Sequence, residues 1–430
     1  MGGFGFSKLE DIYAACPGIP AAGDISALAR PVMLSGRTIK NAIAIQPMEG
    51  CDGTTDGAPD ELTFRRYKRF SAGGAGLIWM EAVSVTPEAR ANPRQLMLTE
   101  ANKGVFSRLL DEMRNEAAKA GDAPPLVIAQ LTHSGRWSRP VDNAAPIRAW
   151  KSSVLDPHQH LPEDYPIASE DYLDALPEKF AFSAKLAREA GFDGVDVKAC
   201  HLYLYSELLG AYERPGKYGG CFENRTRLYI DSVDAARSEL GSMILATRLN
   251  VYDGSAAGWG VGPDGEPDLT EPMMLIDRLR KKGVDLFNIT MGTPYYNPHV
   301  NRPYNRGGYI PPEEPIKGVA RLLNGCAAVQ KHIPDAVCLA TGFSYLREYA
   351  PFVAAGMAER GEAKLFGFGR GAFAYPELAR DICLHGGMKH EKCCVTCSLC
   401  TAIMRAGGRT GCPVHDTEVY LPEYRRVIKK

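Results

Sequence analysis

Eight short runs of apolar and β-branched residues recur through the first 370 residues, and their spacing constrains this chain's fold more than any other feature. They are "AIAIQPM" (42–48), "GLIWMEAV" (76–83), "PLVIAQLT" (125–132), "GVDVKA" (194–199), "MILATRLN" (243–250), "DLFNITMG" (285–292), "AVCLATG" (336–342) and "LFGFGR" (365–370). Between them stand segments of helical character such as 104–121, 177–191 and 271–283, the last two ending on Gly after a basic final turn. That is a helix-stop signal, because Gly adopts the left-handed conformation that closes a helix. Runs apolar on both faces, alternating with helices, predict a parallel sheet covered by helices. Eight such units predict an α/β fold, a (β/α)8 TIM barrel. Alternation alone also fits a doubly wound open sheet.

A chain of 430 residues accommodates one barrel with an appendage. The strand–helix rhythm stops past residue 385, so the expected division is a barrel over 1–385 and a short cysteine-rich segment over 386–430. Fifty basic against 51 acidic residues, net charge -1, argue against a nucleic-acid footprint or a polybasic membrane anchor. No uninterrupted apolar stretch could cross a bilayer, and the N-terminus lacks a secretory pattern. A cytoplasmic homo-oligomer that acts on a small molecule is expected.

Two insertions, 136–166 and 291–315, exceed ordinary connectors and follow strand C-terminal ends, the barrel face on which active sites are built. Many polar groups converge on that face. Gly342, Gly369 and Arg370 follow the last two runs, where barrels usually bind phosphate: glycine lets backbone N–H groups approach, and arginine adds a cationic fork. The glycines also serve as plain turn residues. Gln130 and Arg248 can hydrogen-bond a polar heterocycle such as a flavin, although a rim arginine often pairs with a nearby acid.

Five of the twelve cysteines crowd into residues 393–412. In a reducing compartment such a cluster points to metal or redox chemistry rather than disulfides. Cys394, Cys397, Cys400 and Cys412 form CxxCxxCx11C, with Cys393 an alternative first ligand. Four thiolates so grouped hold either tetrahedral zinc or a [4Fe-4S] cluster, and spacing does not decide. Lys198, at a strand end, is also compatible with a Schiff-base aldolase whose tail is stapled by zinc.

The segments "NAIAIQPMEG", "GGAGLIWMEAVSV", "VIAQLTHSGR", "EAGFDGVDVKACHLYLYSELLGAYERPGKYGGCFENRTR", "LATRLN" and "GFGRGAFAYPELAR" resemble, in order and at similar intervals, the Old Yellow Enzyme family of flavin reductases. The likeness covers about residues 25–385, and the tail resembles the iron-sulfur branch with 2,4-dienoyl-CoA reductase, enoate reductase and the bile-acid-transforming oxidoreductases. The resemblance implies a (β/α)8 barrel holding FMN, with Pro47, Met48, Glu49 and Ala82 lining the ring. It places Gln130 and Arg248 at the ring's polar edge, and Gly342, Gly369 and Arg370 at the phosphate. It implies catalysis by Lys198 and His201 as donors to a substrate carbonyl or carboxylate and by Tyr203 as proton donor. Lys198 stands where many members carry histidine, and Glu49 where the better-known members carry Thr or Cys; an acid there opposes the anionic form of a flavin unless paired or protonated. Tyr295, Tyr296 and His299 are candidates for a substrate lid, or for a loop held by prolines. The family context favours [4Fe-4S], although its members usually separate the second and third ligands by three residues and this chain has two.

The expected activity is therefore an FMN- and iron-sulfur-dependent ene-reductase acting on an enoate, an enoyl thioester or a 3-oxo-4-ene steroid, a reaction suited to anaerobic metabolism. A flavin dehydrogenase or demethylase resembling trimethylamine dehydrogenase, and a non-catalytic electron carrier, are alternatives. Longer relatives continue into an FAD and NAD(P)H module, whereas no GxGxxG follows the cysteines here. Electrons are expected from a ferredoxin or flavoprotein partner, or directly from NAD(P)H.

Overall fold

The computed structural model describes residues 4–428. All eight runs become strands: β1 (Ile43–Ile45), β2 (Leu77–Ser84), β3 (Leu126–Thr132), β4 (Gly194–Val197), β5 (Ile244–Asn250), β6 (Leu286–Thr290), β7 (Val337–Ala340) and β8 (Leu365–Phe368). Each lies parallel to the next, and β8 returns to β1 through Phe366↔Ile43 and Phe368↔Ile45, which closes the barrel. This closure rules out the open sheet.

The helices end where their sequences stop them. Leu176–Ala190 ends on Gly191 at φ +94°, a left-handed cap that a side chain would strain. In Lys103–Lys119, Phe106, Leu109, Leu110, Met113 and Ala117 share one buried face at helical spacing. Inside the barrel, Ala44, Leu77, Trp79, Ile128 and Leu286 form an apolar plug, joined by Leu34 and Ile39 from a hairpin over 32–39. That core fills one end and leaves the polar strand ends at the other.

One irregularity matters for the site. The register of β2 against β3 shifts between Trp79 and Ala82, a bulge that keeps Trp79 opposite Ile128 and Ala82 opposite Gln130. It also directs Glu81 toward helix Glu61–Ala72, where Arg66 pairs with it and with Asp52.

The cysteine-rich tail carries two short helices, Leu399–Arg405 and Tyr420–Ile428, and folds back onto the barrel. Asp416 accepts two bonds from Arg65, at 2.6 and 3.1 Å, and one from Arg69 at 2.6 Å. The Thr410 N–H donates to the Gly50 carbonyl at 2.6 Å, and the Arg306 N–H to the Thr396 carbonyl at 3.3 Å. The tail is thus fastened beside the loops after β1 and β6. Among the described residues no helix is long and apolar enough to cross a membrane.

Candidate active site

Above the apolar plug, buried polar side chains set the strand ends. Asp196 on β4 accepts from Trp79 Nε1 at 2.8 Å, Gln130 Nε2 at 2.7 Å and the Arg248 N–H at 2.8 Å. Gln46 and Asn288 exchange two amide bonds across the barrel. Of these fixed groups Gln46, Gln130 and Arg248 line a cavity at the C-terminal mouth. Into its wall the structure brings Pro47, Met48, Glu49, Gln130, Lys198, His201, Tyr203, Arg248, Tyr295, Gly342, Gly369 and Arg370, together with Cys400 from the tail.

The segment after β4 makes an unusual turn. His201 and Leu202 both take positive φ, +68° and +55°. Such strain costs about 1–3 kcal/mol per residue and persists only where the surroundings enforce it. Both insertions supply the restraint: Thr293 Oγ1 donates to the His201 carbonyl and Trp137 Nε1 to the Leu202 carbonyl, each at 2.9 Å. The turn presents Lys198, His201 and Tyr203 to one cavity, with the Lys198 ammonium 3.7 Å from the Tyr203 ring centroid.

Electrostatics then sort the protons. Burial, with Arg248 and Lys198 nearby, holds His201 well below the ordinary histidine range, so its imidazole is neutral; its Nε2 is buried without a partner. Burial also lowers the Lys198 pKa, opposed by Cys200 and Glu49. Tyr203 donates to Glu49 Oε1 at 3.1 Å and lies 2.9 Å from the Tyr295 hydroxyl. Burial and the Glu49 charge push the Tyr203 phenol well above its ordinary value, so it stays protonated at neutral pH. Burial raises the Glu49 carboxyl too, opposed by Lys198 and the Tyr203 bond. The acid flagged in the sequence is thus paired.

At the opposite end of the cavity Gly342 sits at φ +111°, and a Cβ on Gly369 would lie 3.0 Å from Met48 Sδ. Arg370 Nη2 donates to the Pro303 carbonyl at 2.7 Å, while its Nη1 is buried without a partner, as is Arg248 Nε. Beside Arg370 stands Arg302, which sequence reasoning missed; burial and the Arg370 charge lower its pKa to about 10. Neither arginine has a carboxylate partner among the described residues.

Three expected residues stand off the cavity wall. Ala82 is buried on β2 beside Gln130 without lining the cavity. Tyr296 meets His158 edge to face, and His299 Nδ1 lies 2.5 Å from the Tyr309 hydroxyl. His299 lies on the short helix Pro298–Asn301, of which Asn301 rather than His299 lines the cavity. Only Tyr295 of the proposed lid reaches the site, stacked on Trp137 at 4.3 Å between centroids. The four tail cysteines are free thiols, and among the described residues no three His, Cys, Asp or Glu side chains form a group that could hold a metal ion.

Comparisons with known proteins agree with this geometry. The NADPH dehydrogenase of Halalkalibacterium halodurans is 27% identical over 309 residues, which is 69% of this chain and 81% of that one. The structure of a 2-naphthoyl-CoA reductase in complex with 2-naphthoyl-CoA superposes with TM-score 0.73 at 19% identity, covering 93% of this chain. This chain spans 58% of that reductase's length. The old yellow enzyme homologue from Zymomonas mobilis superposes with TM-score 0.63 at 20% identity, over 85% of this chain and 94% of that one. The profile of the NADH:flavin oxidoreductase / NADH oxidase family matches residues 27–294, from before β1 through the Tyr203 turn to the edge of the second insertion. With more than half of the chain inside that match, the protein belongs to the NADH:flavin oxidoreductase family and is an oxidoreductase.

Proposed function

We propose that the protein is an FMN-dependent ene-reductase that saturates a C=C bond conjugated to a carbonyl or carboxylate. The observation that carries this reading is the single cavity that joins a donor pair, Lys198 and His201, and a protonated Tyr203 to an unpartnered cationic end at Arg370.

The residues present fit FMN. Arg370 Nη1 and Arg248 Nε are buried polar atoms that want an acceptor, and Gly342 and Gly369 leave room for backbone approach. Arg370 with the N–H groups near Gly342 and Gly369 would hold the phosphate, and Gln130 and Arg248 the polar edge of the ring, over Pro47 and Met48. Bound there, FMN would supply hydride to the carbon β to the activating group.

The chain's own groups do the rest. Lys198 Nζ and neutral His201 would donate to the substrate oxygen, each donor contributing about 3–4 kcal/mol where negative charge develops. Tyr203 would deliver its proton to the carbon α to that group. The Lys198 cation over its ring and the Tyr295 hydroxyl would then stabilise the phenolate left behind. Trp137 and Tyr295 would shield this face from water.

The tail cysteines Cys394, Cys397, Cys400 and Cys412 would hold a [4Fe-4S] cluster only once drawn together, since among the described residues no three of them stand as a metal-holding group. Its support is the CxxCxxCx11C spacing, that Cys400 lines the same cavity, and that Arg302 and Arg370 lie beside Cys400. A cluster with four thiolates is anionic and suits two cations that have no acid of their own. It would pass electrons to the flavin from a ferredoxin or flavoprotein, with NAD(P)H as the direct alternative. We place the cluster segment over 386–430, appended to a barrel over 1–385.

The test is anaerobic turnover of cyclohexenone with NADPH or dithionite as reductant. Saturated product is expected. Bound flavin that is reduced yet leaves every enone and enoate untouched would refute the reading.

A further inference from the structure

We infer that the protein recognises its substrate by an anionic group remote from the double bond, held in a second cavity next to the first. This rests on the ene-reductase reading and narrows its substrates. The second cavity shares Glu49, Tyr295 and Met404 with the flavin cavity as a common wall. Its rim carries Arg94, Arg139 and Arg405, from three separate stretches of chain: the loop after β2, the 136–166 insertion and the tail helix Leu399–Arg405.

These three guanidiniums bond only carbonyl oxygens. Arg94 donates from Nε to Cys51 at 2.8 Å and from Nη2 to Gly407 at 2.7 Å; Arg139 Nε donates to the Asp142 carbonyl at 2.8 Å, and Arg405 Nη2 to Pro294 at 3.0 Å. Arg136, deeper in the same wall, is by contrast paired with Glu207 and Asp156. Two acids line the cavity, Asp142 beside Arg139 and Glu49 in the dividing wall, where Glu49 accepts from Tyr203. Three like charges brought to one opening repel unless an anion joins them, and the free N–H forks are suited to phosphate or carboxylate.

The position fixes what the anion belongs to. Glu49 and Tyr295, which form the dividing wall, are the hydrogen-bond partners of Tyr203. A substrate whose double bond lies at Tyr203 therefore passes over this wall into the basic cavity. The arginine rim lies beyond Glu49 and Tyr295 from Tyr203, so the anion sits at the end of an extended arm. Phosphates of a thioester carrier and the carboxylate of a long chain share this chemistry. A neutral 3-oxo-4-ene steroid does not.

The experiment uses holoenzyme and two matched pairs: crotonyl-CoA against crotonyl-N-acetylcysteamine, and a long-chain vinyl ketone with a terminal carboxylate against its methyl ester. Cyclohexenone serves as the substrate without a handle. The double variant Arg139→Ala/Arg405→Ala alters exposed side chains and keeps Arg94, which ties the tail to the loop after β1. Wild type should show a lower KM for the charged member of at least one pair. The double variant should raise that KM roughly tenfold, as for two partly exposed charge pairs, with kcat and the neutral member unchanged. An effect in the first pair alone assigns phosphate, and in the second alone carboxylate. Calorimetric binding of coenzyme A and of a saturated fatty carboxylate to wild type and variant gives a readout without turnover. Equal KM values within both pairs, or a variant that raises only the KM for NAD(P)H, would overturn the inference while cyclohexenone reduction leaves the ene-reductase reading standing. Failure to reduce any of the five compounds would instead overturn that reading.

Discussion

Replacing Tyr203 by Phe isolates one proton. The ring stays where Lys198 packs on it at 3.7 Å, so the substitution removes the O–H and little else from the substrate side. A positioned general acid contributes about 10²–10⁴-fold, or roughly 3–5 kcal/mol of barrier. The same change leaves Glu49 Oε1 and the Tyr295 hydroxyl without their 3.1 Å and 2.9 Å partner, at a cost to folding of about 1–3 kcal/mol. The two effects separate in stopped-flow: reduction of bound flavin by NADPH or dithionite keeps its wild-type rate, while its reoxidation by cyclohexenone slows by at least a hundredfold. Because Glu49 and burial hold the phenol well above its ordinary pKa, wild type should show no loss of that second rate from tyrosine ionisation up to about pH 9. Reoxidation by the enone at the wild-type rate in Tyr203→Phe would refute the assignment of Tyr203 as the acid.

Arg370→Ala should weaken FMN binding by roughly a hundredfold or more, read by fluorescence of released flavin, since it removes the buried fork at the phosphate end. Cys400→Ser should lower iron well below the about four atoms of one [4Fe-4S] centre while flavin is retained; unchanged iron would exclude Cys400 as a ligand. Buried His133 has its pKa lowered from 6.5 to about 4 by burial. A base with a depressed folded pKa contributes stability above pH 6.5 that is lost as pH falls toward 4, here up to about 3 kcal/mol. Urea unfolding at pH 7 and pH 4.5 should therefore show a smaller acid loss in His133→Gln than in wild type, and equal losses would contradict it. Asp416→Asn, which weakens the ion pairs to Arg65 and Arg69, should raise hydrogen exchange across 410–428 while the barrel strands keep their protection.

The barrel was legible because each strand is apolar on both faces and each helix has its own stop signal, so local pattern and global fold agree. The strand-end residues followed from the same logic: Gln130, Lys198, Arg248 and Arg370 leave their strands at the open end. Ala82 was read from resemblance, and its place behind the wall follows from packing around a bulge that no residue type in "GLIWMEAV" announces. Tyr296 and His299 were read from composition, which does not say which way a loop turns; they pack on His158 and Tyr309 instead of the cavity. Arg302 and Arg405 carried no signal because their importance comes from the tail folding back across the mouth, a tertiary event set by contacts such as Thr410 to Gly50 and Asp416 to Arg65. Gln46 was visible at the end of the first run, and its exchange of bonds with Asn288 is the part that only the closed barrel shows.

The most direct test is the visible spectrum of anaerobically purified protein, with released flavin and metal quantified on the same sample. One FMN and about four irons per chain, with a broad cluster absorbance beneath the flavin bands, is the predicted result. Protein without flavin, carrying zinc and trapped by borohydride through Lys198, would contradict the account at its centre.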